Sequence, residues 1–520
     1  MPKSEILMKD LVYMNRSGIL HEKLDIWKTL SLIFLFVVSG VFLFYNAVRF
    51  ELPLGFSGMF ALMSEQISSN DFKLPESTPY YGPGGIPFAY PPLGFYVMAM
   101  VTRLLDVSSI TYLRFIPPFF SLLALIPVFF LVERMTRSFW AGVFSTLFVL
   151  FSPTLYYNHT WSAGMVRGLA FFLMFSGFYS FYRAHKEGNR FFAIMAGVFL
   201  GMTSMTHLFY GLFFALWIAG WWVFEFNKAT WKNILFTGGS ALLVSVPWLY
   251  VMITRYGFDI FTNAFSSHDN DAFLNASSGG QISNLFSWAF LKVIETPIPA
   301  LGLILAGGAV IYLIHKRQYG LPAVLVLMVF FLSPESERFF VSLAGILIGV
   351  SFAGAKDVFK QRPVRWVVLA GIFIVITQMA ILGITEVRDS VTVLNRSAYD
   401  VANFVEENVP ADGRYLFVVG QSEAEWFPYV IRREPFVSKW GSEWLGTYDD
   451  QRLLQNRISY CKETESLQCL VDINLDVKSG DIIIIKKNQK KLAYELETSV
   501  SCKRLAVLGI YTLWSADCLK

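Results

Sequence analysis

A chain of 520 residues that is 54% hydrophobic, with a mean hydropathy of +0.48, is too apolar for a water-soluble globule. Such globules hold about 45–50% apolar residues and rarely repeat span-length apolar runs. A formal net charge of +4 without a basic arm gives nucleic acid no footing, so no nucleic-acid partner is expected. The absence of CxxC, HExxH and GxxxxGKS/T leaves the metalloprotease and P-loop chemistries without support.

The first 26 residues are polar and mixed in charge, and the apolar run after them is long enough to stay in the membrane rather than be removed as a leader. Eleven transmembrane helices are expected, near 29–48, 113–133, 138–153, 166–184, 190–206, 208–225, 233–252, 296–315, 320–334, 337–355 and 365–386. The segment 90–105 is also apolar, but it opens Tyr90-Pro91-Pro92 and holds Arg103. Proline suits a first helical turn and tyrosine the headgroup level, so this piece reads as a helix lying on the membrane surface.

Positive charge sets the orientation. With the N-terminus inside, the cytoplasmic side collects Lys3, Lys9, Arg16, Lys23, Lys28, Arg134, Arg137, Arg183, Lys186 and Arg190. Lys228, Lys232, Lys316, Arg317, Lys356, Lys360, Arg362 and Arg365 join them. The longer outer loops keep only Arg49, Lys73, Arg103, Arg114, Arg167, Arg255, Lys292 and Arg338. The same arrangement puts the C-terminal part outside, in agreement with its cysteines. Cys461, Cys469, Cys502 and Cys518 are all the chain has, an even set in the last 60 residues that suggests disulfides. The division expected is a membrane part, 1–386, and a small extracytoplasmic α/β domain, 387–520. The second contains a helical stretch at 398–409 and β-rich runs at 415–419, 482–485 and 505–513. The whole is expected to be an integral, multi-pass plasma-membrane protein with a cytoplasmic N-terminus.

Residues able to do chemistry gather on the outer side. The loop 49–112 carries Glu51, Asp71 and Glu76, and a carboxylate at the membrane surface in an apolar surround gains basicity. Equally, loop acids are commonly just solvated. Arg114, Arg167 and Arg338 open apolar segments, the last directly after Glu337. Three guanidiniums on one face make a clamp for a phosphate headgroup, although arginines at helix ends also snorkel. His207 stands between two apolar helices, where packing is its ordinary role. Tyr80, Tyr81, Phe88 and Tyr90 are candidates for stacking on a sugar ring or for interfacial anchoring. No cofactor is firmly implied. A divalent cation is admitted at His268-Asp269-Asn270-Asp271, which lacks the spacing of a defined metal site.

This order of parts resembles the GT-C superfamily of membrane glycosyltransferases, which includes protein O-mannosyltransferases, the oligosaccharyltransferase catalytic subunit and the aminoarabinose transferase of lipid A. One span is followed by a long outer loop with two surface helices, 56–67 and 90–105, the second opening with Tyr-Pro-Pro-Leu. An arginine, Arg114, opens the next span, Arg338 lies in a late outer turn, and a soluble domain closes the chain. The resemblance implies an inverting glycosyltransferase. Its donor would be a polyprenyl-phosphate-linked sugar and its acceptor a lipid, glycan or protein. A loop aspartate, which in the family begins the first surface helix, deprotonates or orients the acceptor. Here that position is Ser57, in Gly55-Phe-Ser-Gly-Met. Glu51 is then the expected base, with Asp71 second. Arg114 and Arg338 would hold the phosphate, and Tyr90, Arg167, His207 and Glu337 would line the pocket. The missing aspartate equally suits an inactive scaffold or partner subunit on the same fold. A transporter is the third reading, weakened by the scarcity of ionisable residues within the apolar segments.

Overall fold

A computed structural model describes residues 26–225, 231–267, 297–331, 336–358 and 362–520. Helix α1 (Ile26–Arg49) leads into the first loop, which holds α2 (Gly58–Ser69), a two-stranded ribbon and α3 (Leu93–Leu105). The ribbon pairs β1 (Ser77–Thr78) with β2 (Ile86–Pro87) in antiparallel fashion. Then come α4 (Ser109–Thr136), α5 (Phe139–Phe151), α6 (Pro153–Thr160), α7 (Gly164–Glu187), α8 (Arg190–Ser204) and α9 (Leu208–Phe224). Helices α10 (Trp231–Tyr256), α11 (Asp259–Ser266), α12 (Ala300–His315), α13 (Gly320–Phe331), α14 (Ser336–Val358) and α15 (Arg362–Asp389) complete the apolar part.

Over their described residues, the apolar segments expected to span are largely helical. Among the described residues, α1, α4, α7, α10, α14 and α15 are long and apolar enough to cross a bilayer. The pair α5 and α6 makes a seventh if taken together, bent by 67°. The bend lies at Ser152-Pro153: the Ser152 hydroxyl accepts from the Leu155 amide, and Pro153 occupies the first turn, where its missing N–H costs nothing. Helices α8, α9 and α12 are apolar but shorter. At 1.5 Å per residue the 13-residue α3 reaches about 20 Å, short of the roughly 30 Å hydrocarbon core, as a surface helix should. The protein is an integral, multi-pass helical membrane protein.

Helix α14 lies deepest, with Val341, Ile346, Leu347 and Ile348 buried. Small residues let it approach α5 closely: a Cβ on Gly349 would sit 2.7 Å from the Ala141 carbonyl oxygen.

After α15 the chain forms α16 (Ser397–Asn408), β3 (Tyr415–Val418), α17 (Gln421–Ala424), α18 (Phe427–Ile431), a 3-10 turn (Ser442–Leu445), α19 (Tyr448–Thr464) and α20 (Leu467–Val471). It ends with β4 (Ile482–Lys486), α21 (Lys490–Thr498), β5 (Arg504–Leu508) and β6 (Tyr511–Ser515). The sheet order is β3-β4-β6-β5, with β3 parallel to β4 and the other pairs antiparallel. The β-rich run 505–513 is therefore not one strand but most of a hairpin, turning at Gly509 (φ +53°) and Ile510.

Alternation along the strands divides the sheet's faces. Leu416, Val418, Ile483, Ile485 and Trp514 pack on Ile458, Leu470, Leu492 and Leu496. The opposite face, through Tyr415, Phe417, Ile484 and Leu513, shares one core with Met59, Leu62, Met63, Tyr81, Phe88 and Phe95 of the first loop. The loop and the C-terminal sheet thus bury each other's apolar faces. That burial corrects one expectation: Tyr81 and Phe88 are 0% exposed, so neither can stack on a sugar or anchor at an interface. The cysteines pair Cys461–Cys469 and Cys502–Cys518, with Cα atoms 5.4 and 5.0 Å apart.

Candidate active site

The first turns of α2, α3, α7, α9 and α14 converge on a cavity of about 420 Å³. A helix start presents unpaired amide N–H groups and the positive end of the helix dipole. The same turns bring cations: Arg167 three residues into α7, His207 just before α9, and Arg338 near the start of α14. One end of the cavity therefore favours an anion.

Arg338 is 5% exposed, with its guanidinium carbon 5.1 Å from the centre of the Tyr210 ring. Tyr210 is held in turn, its hydroxyl 2.5 Å from Nε2 of buried His159 and its ring 5.0 Å from that of His207. Arg167 donates to Asn158 Oδ1 at 3.3 Å and lies 5.8 Å over the Phe56 ring. A second hollow of about 480 Å³, lined by Thr154, Asn158, Glu337 and Glu386 among others, also touches Arg338, which faces both. The remaining wall of the first cavity is aromatic. Phe56 stacks on Trp440 at 4.7 Å, and Tyr90 meets Trp444 edge-on at 4.9 Å.

Among the described residues, two that carry carboxylates line this cavity, and both come from the C-terminal region: Glu425 and Glu443. Glu425 is 1% exposed. Its two oxygens accept from the amides of Gly58 and Met59, each at 2.8 Å, so it caps α2 from 366 or more residues away. The residue that begins α2, Ser57, makes no side-chain cap of its own. Two neighbours fix the segment: Trp426 Nε1 donates to the Gly55 carbonyl at 2.7 Å, and the Tyr81 hydroxyl donates to the Glu425 carbonyl at 2.8 Å. Burial pushes the Glu425 carboxyl up to about 7, against the pull of the amides that favour its anion. Glu443 accepts the Tyr90 hydroxyl, whose proton is held well above the usual phenol range by burial and by that carboxylate.

Of the sequence candidates, Arg167, His207, Arg338 and Tyr90 line the cavity together. Glu51 and Asp71 do not. Glu51 is 69% exposed and paired with Arg396 at 2.5 Å, Asp71 sits exposed in a left-handed turn (φ +50°), and Glu76, a few residues on, is exposed as well. Arg114 also lies apart, donating to the Ala47 carbonyl at 2.8 Å beside α1. Glu337 accepts from the Thr154 hydroxyl at 2.9 Å and faces the second hollow rather than the first. The run His268–Asp271 lies outside the described residues, among which no cluster of three or more metal-ligating side chains occurs. Glu425 and Glu443 were not legible, because nothing in a single sequence links a carboxylate to an amide or a tyrosine hydroxyl several hundred residues earlier.

Residues 75–261 match the dolichyl-phosphate-mannose-protein mannosyltransferase family. No curated protein matches the sequence. Among solved structures, the Archaeoglobus fulgidus oligosaccharyltransferase in its apo form aligns over 87% of this chain and 69% of its own, with 14% identity and a TM-score of 0.59. The archaeal oligosaccharyltransferase AglB from Archaeoglobus fulgidus, in complex with an inhibitory peptide and a dolichol-phosphate, gives 12% identity and a TM-score of 0.60 over the same shares. ArnT from Cupriavidus metallidurans bound to undecaprenyl phosphate aligns over 94% of this chain and 99% of its own, with 12% identity and a TM-score of 0.52. The helical bundle, the loop with its two short helices and the C-terminal sheet together make the fold that of the GT-C superfamily of membrane glycosyltransferases.

Proposed function

We propose that this protein transfers a sugar from a polyprenyl-phosphate carrier to an acceptor on the extracytoplasmic side of the membrane. The observation that carries the reading is one cavity in which helix starts, Arg167 and Arg338 meet a buried carboxylate. Dolichol-phosphate and undecaprenyl phosphate in solved proteins of the same fold support a lipid phosphate as the anion.

In the reaction, an acceptor hydroxyl or similar nucleophile attacks the anomeric carbon from the face opposite the phosphate. The new glycosidic bond forms as the bond from the anomeric carbon to the phosphate oxygen breaks. The electron pair leaves with the lipid phosphate, and the acceptor's proton passes to a carboxylate. Charge grows on the departing oxygen, where fixed guanidiniums and helix N–H groups stabilise it without reorganising. Attack from the opposite face inverts the anomeric centre. The aromatic wall suits the apolar faces of a sugar ring or the first units of the prenyl chain. The cation balance of the connections and the paired cysteines support an extracytoplasmic cavity and a cytoplasmic N-terminus. A buried acid in the cavity favours an enzyme over an inactive scaffold.

The test uses purified full-length protein in lipid nanodiscs, undecaprenyl- and dolichyl-phosphate carriers of labelled mannose, glucose and arabinose, and membranes as acceptor. At least one donor should pass its label out of the solvent-extractable lipid fraction. No transfer from any of the six would overturn the proposal.

A further inference from the structure

Resting on that reading, we infer that Glu425, delivered from the C-terminal domain, is the catalytic residue that takes the acceptor's proton. It occupies the start of α2, where Ser57 leaves the helix without a carboxylate of its own.

Four observations meet at this side chain. First, it lines the cavity that holds Arg167 and Arg338, whereas Glu51, Asp71 and Glu76 are exposed. Second, it is held rigidly: two amides grip the carboxylate, while Trp426 and Tyr81 fasten the backbone on either side. A base fixed in this way loses little geometry as the reaction proceeds. Third, the amides of Gly58 and Met59 take one lone pair from each oxygen, and a carboxylate oxygen keeps another for a substrate O–H. Fourth, its proton affinity is balanced between burial and the α2 amides, close to the working range of a general base. The other acid of the cavity, Glu443, is engaged by the Tyr90 hydroxyl and orients that ring.

The step is balanced as follows. The acceptor's O–H proton moves to Glu425, the acceptor oxygen bonds to the anomeric carbon, and the phosphate departs with the pair from the broken bond. Glu425 then returns its proton to solvent or to the leaving phosphate. The carboxylate at the head of α2 thus comes from a residue more than 360 positions later in the chain. The transmembrane part alone therefore lacks the base, and the C-terminal domain completes the site.

The experiment compares E425Q, the double variant S57D/E425Q and the wild type, all as full-length protein in nanodiscs. The donor is whichever labelled polyprenyl-phosphate sugar of the panel above the wild type turns over. E425Q should lower turnover about 100-fold, a typical general-base effect, while binding of sugar-free undecaprenyl phosphate stays within about threefold. S57D/E425Q, which puts a carboxylate back at the head of α2 from the helix itself, should recover about tenfold of that loss.

The pH profile separates Glu425 from the other titratable groups around it, Tyr81 beside it and Tyr90, Glu443, Tyr448, Arg167, His207 and Arg338 on the cavity wall. The fall in kcat/KM below about pH 7 should persist in H207Q and vanish from the residual activity of E425Q. Turnover by E425Q near the wild-type level would overturn the inference and leave the transferase reading standing. So would a joint loss of turnover and lipid binding without rescue by Ser57→Asp, since it would mark Glu425 as a docking residue only. No turnover by the wild type with any donor would sink both.

Discussion

At the scale of single residues, the account depends on which charges are enclosed. Arg338 is buried and stacked on Tyr210, so Arg338→Ala should cut sugar transfer by about 100- to 1000-fold. Arg338→Lys should not restore it, because an ammonium can neither stack nor bind phosphate through two parallel bonds. Glu51→Gln should change the rate by less than about twofold, since an exposed ion pair contributes little. Glu425 also ties stability to pH. Its folded-state value, about 7, lies above the ordinary 4.5, so between these the folded state binds the extra proton. Its stabilising share is full below about pH 4.5 and falls as pH rises through 7, by roughly 3 kcal/mol in all. Thermal unfolding of the C-terminal region should therefore lose stability between pH 5 and 8, and E425Q should flatten that slope. The basic half of the cavity was legible because Arg167, His207 and Arg338 interrupt apolar runs. The acidic half was not, because Glu425 and Glu443 lie in a polar domain among many ordinary surface acids.

At the scale of elements, the docking of α2 on the C-terminal segment is the joint that matters. A Cβ on Gly58 would stand 2.8 Å from the Tyr81 hydroxyl and 2.9 Å from the Glu425 carbonyl oxygen. Gly58→Val should therefore push the Glu425 segment away. A destabilisation of about 1–3 kcal/mol is expected from overpacking, read as protease sensitivity of the C-terminal region, with transfer falling in parallel. The helices themselves were legible, since long apolar runs have few other solutions in a membrane. Their breaks were less so. The span expected at 138–153 is helical through Phe151, but nothing in that run marks Ser152 as the cap of a further helix, α6, bent by 67° from it. The run 505–513 is β-rich throughout, and only the left-handed Gly509 marks the turn that makes it a hairpin. Tyr81 and Phe88 read as interfacial because the loop looks wet in sequence. They are core because the sheet's apolar face, Tyr415, Phe417 and Leu513, covers them.

At the scale of the whole molecule, the membrane bundle supplies the cationic end of the cavity, and the C-terminal domain supplies Glu425, Glu443 and part of its aromatic wall. Orientation is open to a direct check. A cysteine at exposed Glu51 should react with a membrane-impermeant maleimide in intact cells, and one at exposed Gly188, between α7 and α8, only after lysis. The reverse pattern would invert the topology. The central claim is that the cavity is a transfer site for a lipid-phosphate sugar. It is tested most directly by measuring, on one preparation, transfer of labelled sugar from polyprenyl-phosphate donors by the wild type and by R338A. The account predicts transfer by the wild type and a loss of about 100-fold or more in R338A, with the C-terminal region still folded. Equal transfer by the two proteins would contradict it.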